Sequence, residues 1–216
     1  MTSVLTDREF AAVLFDNDGT LTDSTAAVNR SWGTWAREFD LDPARLRGYH
    51  GVPAAAIVNQ MVPEHQQDAA LARIVEIEAA DTDGVVALPG AIAAVRALGV
   101  RGAIVTSATR SLASARLEAA GVPTPKVMIT ADDITDGKPD PQPFLRAADA
   151  LGVSPSDCLV VEDAPSGTAA ARAAGCAVLA VLSTTDAEDL DADLIVPDLS
   201  HVSFVSHGEV VRLRLR

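Results

Sequence analysis

Positive charge is scarce in this 216-residue chain: 17 Lys and Arg stand against 30 Asp and Glu, a formal net charge of −13. Nucleic acids and anionic membranes require a basic footprint, so neither is an expected partner. An anionic small molecule is still admissible if cations gather at one site. There are only two cysteines, Cys158 and Cys176, which excludes a disulfide framework and a thiolate metal cluster. Both lie at the edges of apolar runs and read as small buried hydrophobes. Aromatic residues make up 4% of a chain that is 48% hydrophobic, so the core must be built from Ala, Val and Leu. No charge-free stretch reaches the roughly 18 residues of a membrane span, and no apolar signal-peptide core opens the sequence. The expected setting is the cytoplasm. No repeat of 20–50 residues and no low-complexity segment is present, against a solenoid. The length suits one sizeable core, or one core with a small satellite domain.

Against that background one stretch stands out, from Ala11 to Ser24. Its apolar start, Ala11 to Phe15, has the pattern of a fully buried strand. The run then breaks at Asp16, Asp18 and Gly19, where the chain must turn. Two carboxylates at the exit of a buried strand call for a compensating cation, although Asp and Gly also close ordinary turns. Residues 23–80 then lose strand character. A helix begins at Asp23 or Ser24 as cap and runs to about Glu38, with Val28, Trp32, Trp35 and Phe39 at helical spacing. Further helices are expected at Pro43, at Pro53, and from Pro63 through Leu71, Ile74, Ile77 and Glu78. The two Trp residues fit helix packing better than a ligand platform.

From Leu88 onward, strand and helix alternate: helix 90–98, strand 102–106, helix 110–120, strand 126–130, a polar loop 131–140, helix 141–151, strand 158–161, helix 166–174, strand 177–182 and strand 193–196. Such alternation predicts an α/β fold, a parallel sheet with helices on both faces. The alternating tail 202–216, broken at His207-Gly208, predicts an antiparallel hairpin appended to that sheet, with Arg212, Arg214 and Arg216 as its solvated face. The opening strand therefore belongs with the later α/β part. The expected division is a core of residues 1–21 and 85–216 and an inserted helical domain of residues 22–84, joined by polar, Gly84-containing segments.

Four strand ends carry polar residues out of an apolar background. Asp16 and Asp18 end the first. Thr106, Ser107, Ala108 and Thr109 end the second, where a helix begins. Hydroxyls and free N–H groups there suit either an anion or a simple helix cap. Lys138 sits between Gly137 and Pro139 in an irregular loop, as a fixed ammonium for a phosphate or an exposed loop charge. Glu162 and Asp163 end the fourth. Together they converge on one edge of a parallel sheet, where open α/β sheets bind ligands. Asp16, Glu162 and Asp163 suit a hard divalent ion, Mg²⁺ first, which with Lys138 would neutralise a phosphate.

The stretches Phe15 to Ser24, Val105-Thr106-Ser107, Gly137 to Pro141 and Val161-Glu162-Asp163 resemble, in order, the four motifs of the haloacid dehalogenase (HAD) superfamily. The helical insertion is similar to the cap of its sugar-phosphatase and β-phosphoglucomutase branch. The resemblance covers about residues 10–200 and implies a Rossmann-like core. It implies that Asp16 is a nucleophile that forms an aspartyl-phosphate and that Asp18 is the acid and base. Thr106, Ser107 and Lys138 would hold phosphate. Mg²⁺ would be bound by Asp16, the main-chain carbonyl of Asp18, Asp163, and Glu162 directly or through water. Dehalogenases of the superfamily lack the second Asp, so Asp18 implies phosphoryl chemistry. β-Phosphoglucomutases usually read Asp-Gly-Val where Gly19-Thr20 stands here, and carry a His ten residues after the second Asp, where this chain has Val28. The expectation is a Mg²⁺-dependent phosphatase acting on a small sugar or polyol phosphate, as a monomer or homodimer. A hexose phosphomutase and a catalytically idle phosphometabolite-binding protein are the alternatives. In the cap, His50 and Gly51 resemble the His-Gly of sugar- and polyol-phosphate phosphatases, although Val52-Pro53-Ala54 replaces the Arg that often follows.

Overall fold

A computed structural model describes residues 5–46 and 52–216. In chain order the strands are β1 (Glu9–Phe10), β2 (Ala12–Phe15), β3 (Thr22–Asp23), β4 (Val86–Ala87), β5 (Gly102–Val105), β6 (Val127–Ile129), β7 (Cys158–Glu162), β8 (Ala177–Val181), β9 (Leu194–Val196), β10 (Val202–His207) and β11 (Val210–Leu215). The helices are α1 (Thr25–Glu38), α2 (Ala54–Met61), α3 (Glu64–Ala80), α4 (Ala91–Leu98), α5 (Arg110–Ala120), α6 (Gln142–Leu151) and α7 (Pro165–Ala173).

Six strands form a parallel sheet in the order β6-β5-β2-β7-β8-β9. The four inner strands are buried along their whole length, which is why they read as unbroken apolar runs. Successive residues face opposite sides of the sheet and so build two cores. Val13, Phe15, Ile104 and Val161 pack with α4 and α5, while Leu14, Val105, Val160 and Val178 pack with α6 and α7. Pairing aligns Phe15 with Ile104 and Val161, so β2, β5 and β7 finish level at one edge. That edge receives every polar strand end picked out from the sequence.

Helices α1, α2 and α3 have a third core of their own, centred on Trp32, Trp35, Ile57, Val58, Ala70 and Ile74. Trp35 is fully buried, donates its indole N–H to the Ala70 carbonyl at 2.8 Å and stacks edge-on to Trp32 at 5.2 Å, a packing role. The segments entering and leaving this helical block pair as β3 and β4, with Asp23 opposite Val86.

The C-terminal hairpin forms, but it does not extend the six-stranded sheet. β10 and β11 join β1 in a separate antiparallel sheet of order β1-β11-β10. The reason is burial: Phe204, Val211 and Leu213 close the α4 side of the core, and Phe204 meets Phe15 edge-on at 5.8 Å. An edge-on extension of β9 would have left those side chains in water. Arg212, Arg214 and Arg216 are exposed as expected, with Arg212 paired to Glu9. Both cysteines are free and buried.

Candidate active site

Asp16 follows β2 directly, and its N–H donates to the Val161 carbonyl at 2.9 Å, which keeps it in register with β7. The chain then reverses over Asn17, whose carbonyl accepts from the N–H groups of Thr20, Leu21 and Thr22. Gly19 makes the reversal possible. Its φ is +92°, and a β-carbon there would fall 2.2 Å from Asp163 Oδ2. Gly167, just inside α7, leaves room in the same way: a β-carbon would lie 1.8 Å from Glu162 Oε1.

Lys138 is the hub. It is buried, and its ammonium donates to Asp16 Oδ1 at 2.6 Å, to Glu162 Oε1 at 2.6 Å and to the Val105 carbonyl at 3.0 Å. It is therefore no exposed loop charge. Its donors satisfy three groups from three neighbouring strand ends. The other oxygen of Glu162 accepts from the N–H groups of Asp163 and Ala164 at 2.9 and 3.1 Å. Asp163 accepts from the hydroxyls of Thr20, at 3.0 Å, and Thr184.

Three carboxylates and one ammonium are an unbalanced set. Burial pushes Asp16 well above the usual carboxylate range against the pull of Lys138, with Glu162 and Asp163 raising it further. Burial, then Glu162, raises Asp163 to about 7. Burial alone would lower Lys138, but Asp16 and Glu162 outweigh it and hold the amine charged. Carboxylate oxygens of Asp16, Glu162 and Asp163 lie within 4.8 Å of one another, all buried. Hard oxygen donors with excess negative charge fit a divalent cation.

Asp18 has different surroundings. Its Oδ1 accepts from the Ser24 hydroxyl at 2.6 Å and from Arg116 Nη1 at 2.9 Å, and its Oδ2 from Asn17 Nδ2 at 3.2 Å. Arg116 is buried in α5 and extends its Nη2 to Glu78 of α3 at 3.0 Å. Of the two cap candidates for α1, Asp23 accepts from the Thr25 N–H at 3.1 Å, while Ser24 spends its hydroxyl on Asp18. Asn17 is a further partner of Asp18.

A cavity of about 380 Å³ lies over these groups, lined by Asp16, Asp18, Thr106, Ser107, Lys138, Glu162 and Asp163 together with the helical block. All seven core positions picked from the sequence thus share one cavity. Of the hydroxyls after β5, Thr109 caps α5 by accepting from the Leu112 N–H, and Thr106 accepts from the Ala108 N–H at 3.1 Å. His50 and Gly51 lie outside the described residues. Sequence reasoning missed Arg116 as a site residue, with Thr20, Thr184 and Ser24. Arg116 did leave a signal: it stands four residues after Leu112 and one before Leu117, on the buried stripe of α5. Glu78 occupies the same kind of position four residues after Ile74.

The chain is similar to several known proteins. Hexitol phosphatase A of Escherichia coli (strain K12) is 41% identical over 208 residues, covering 92% of this chain and 96% of its own. Validoxylamine A 7'-phosphate phosphatase of Streptomyces hygroscopicus subsp. limoneus is 36% identical over 214 residues, covering 92% and 99%. The crystal structure of a hydrolase from Pseudomonas syringae superposes with a TM-score of 0.79 at 26% identity, covering 88% of this chain and 94% of that one. The haloacid dehalogenase-like hydrolase family profile matches residues 13–181, and the chain belongs to that family.

Proposed function

We propose that this protein is a phosphoric monoester hydrolase that takes a small sugar or polyol phosphate and works through an aspartyl-phosphate on Asp16. The observation that carries the reading is that two Asp residues two positions apart share one cavity yet have separate partners: Lys138 for Asp16; Ser24, Asn17 and Arg116 for Asp18. One carboxylate is poised as nucleophile, and the other is kept for proton transfer. The names of the two relatives, both phosphatases, point the same way.

In this scheme residues 22–84 act as a cap over a core of residues 1–21 and 85–216. Asp16 keeps Oδ1 on Lys138 and attacks phosphorus with Oδ2; the bond to the alcohol oxygen breaks, and Asp18 protonates that oxygen. Asp18, now a carboxylate, accepts a proton from the water that attacks the aspartyl-phosphate, releasing inorganic phosphate and restoring Asp16. Thr106 and the Ser107 N–H hold the phosphate oxygens, and the Lys138 ammonium, its three N–H donors engaged, attracts them as a fixed positive charge. Mg²⁺ would be held by Asp16, Asp163 and the Asp18 carbonyl, where it neutralises the phosphate's charge. Glu162 spends its oxygens on Lys138 and two N–H groups, so it positions the lysine and would support the metal from behind Asp16 and Asp163. Among the described residues no helix is long and apolar enough to cross a membrane. Two free thiols fit a reducing cytoplasm.

A phosphomutase is disfavoured by Val28, which lines the cavity with no proton to exchange. The test is incubation with Mg²⁺ and a panel of sugar and polyol phosphates. Release of inorganic phosphate, abolished by EDTA and restored by Mg²⁺, supports the proposal. An isomerised product identifies a mutase, and tight binding without turnover a phosphometabolite-binding protein.

A further inference from the structure

The cap contributes an almost wholly apolar wall to the cavity, with Val28, Trp32, Val52, Leu71 and Val75 among its residues. Among the described residues of the segment 24–84 that line the cavity, Glu78 is the one charged side chain. It is 6% exposed, and burial raises its carboxyl above the ordinary value against the pull of Arg116. Its hydrogen-bond partner is Arg116, at 3.0 Å. Arg116, 4% exposed, serves two carboxylates with its Nη atoms, while its Nε–H is buried without a partner.

Packing gives no reason for this arrangement. A buried ion pair does little better than a well-fitted apolar pair of the same volume, and position 78 lies on the buried stripe of α3, where Leu would fit. A ligand does give a reason. An alcohol hydroxyl both donates and accepts, so it can give its proton to Glu78 and accept from the Arg116 guanidinium, both of which line the cavity. The phosphate is already served by Lys138 and the residues after β5. What an alcohol half still needs is polar partners in a wall of Val, Leu and Trp.

Building on the phosphatase reading, we propose that Glu78 and Arg116, extending from the cap helix α3 and the core helix α5 into one cavity, form a specificity-determining pair that hydrogen-bonds hydroxyls of the substrate's alcohol half. Such a pair discriminates by exclusion: an alcohol without hydroxyls leaves buried polar groups unpaired, and the site rejects it.

The experiment compares kcat/KM of the full chain for sorbitol 6-phosphate, rich in hydroxyls, with that for phenyl phosphate, which has none. Wild type favours the polyol phosphate. In Glu78→Gln, which keeps the shape and loses the charge, the ratio of the two values falls about tenfold, mainly through KM; in Glu78→Leu it falls about a hundredfold. Thermal melts of both variants report folding, and the isosteric Gln variant serves if Leu fails to fold. A pair that merely ties cap to core lowers both substrates by the same factor. An unchanged ratio, or a wild type that prefers phenyl phosphate, overturns the hydroxyl-reading assignment alone. A wild type inert on every phosphate overturns the phosphatase reading and this pair with it.

Discussion

Replacing Lys138 with Met tests the charge balance of the site without touching a carboxylate. The ammonium makes two 2.6 Å ion pairs, to Asp16 and Glu162, and bonds the Val105 carbonyl. Met fills much of the same space, beside Phe144, whose ring lies 5.2 Å from Nζ. What is lost is the charge, which leaves two carboxylates buried side by side. Breaking a buried pair by removing one partner costs about 3–5 kcal/mol. For a chain of this length each kcal/mol moves the melting temperature by roughly 2–4 °C, so Tm should fall by roughly 6–20 °C at pH 7.5. The sign of the pH dependence follows from Asp16. Its folded carboxyl already sits above its unfolded value of about 3.9 through burial, and loss of Lys138 raises it further. A group raised in this way favours folding below its unfolded pKa, and that contribution is lost as pH rises through the folded value. The deficit of the variant should therefore shrink between pH 7.5 and pH 5. Added Mg²⁺ should also narrow it by replacing the missing positive charge. Differential scanning calorimetry at both pH values, with and without Mg²⁺, makes the measurement. A Tm within roughly 2 °C of wild type at pH 7.5, or a deficit that widens toward pH 5, would refute the assignment of Lys138 as the hub.

Asp16→Asn should leave the fold intact, because it removes a buried charge and keeps the shape, and should reduce phosphate release more than a thousandfold; activity within tenfold of wild type rules out the nucleophile. Gly167→Ala forces a β-carbon to within 1.8 Å of Glu162 Oε1 as the site stands, so Glu162 or α7 must shift. The expected loss is about 1–3 kcal/mol, with lower activity because Lys138 loses its anchor, and an unchanged melt would contradict the close approach. Burial raises Cys158 to about 12 and Cys176 to about 11. Both should resist Ellman's reagent in the native protein at pH 8 and react at once in guanidinium. Their raised values also mean that folding stability is lost as pH rises from about 9 through 11–12; fast native labelling would show that the thiols are not buried.

The α/β order was legible because parallel strands buried on both faces have continuous apolar runs, as in Leu159 to Val161, and because polar residues interrupting those runs stand at strand ends by construction. The convergence of Asp16, Lys138 and Asp163 followed from topology alone. Three things were not legible. The hairpin 202–215 announced its own pairing but not its place, since alternation reports one buried face and not which surface covers it. The Arg116–Glu78 contact joins two helices 38 residues apart, and no local pattern specifies which buried polar residues on separate helices meet. The Ser24 hydroxyl was equally open to capping α1 and to bonding Asp18, two outcomes separated only by the approach of the loop at Gly19.

The two ends of the helical block reach the same carboxylate. Ser24 stands immediately before α1 and donates to Asp18; Glu78 lies in the last turn of α3 and is joined to Asp18 through Arg116. Outside these points the chain joins the core through β3 and β4, a two-residue pairing too short to hold a hinge rigid. Among the described residues, the position of the helical block is therefore reported to Asp18 by two polar links, while Asp16, fixed by β2, β7 and Lys138, has no hydrogen bond to that block. Motion of the block would rearrange the partners of Asp18 and leave those of Asp16 as they are. In the proposed mechanism such an asymmetry suits a site in which one carboxylate holds still while the other gives a proton to the leaving alcohol and then takes one from water, the alcohol departing between the two events.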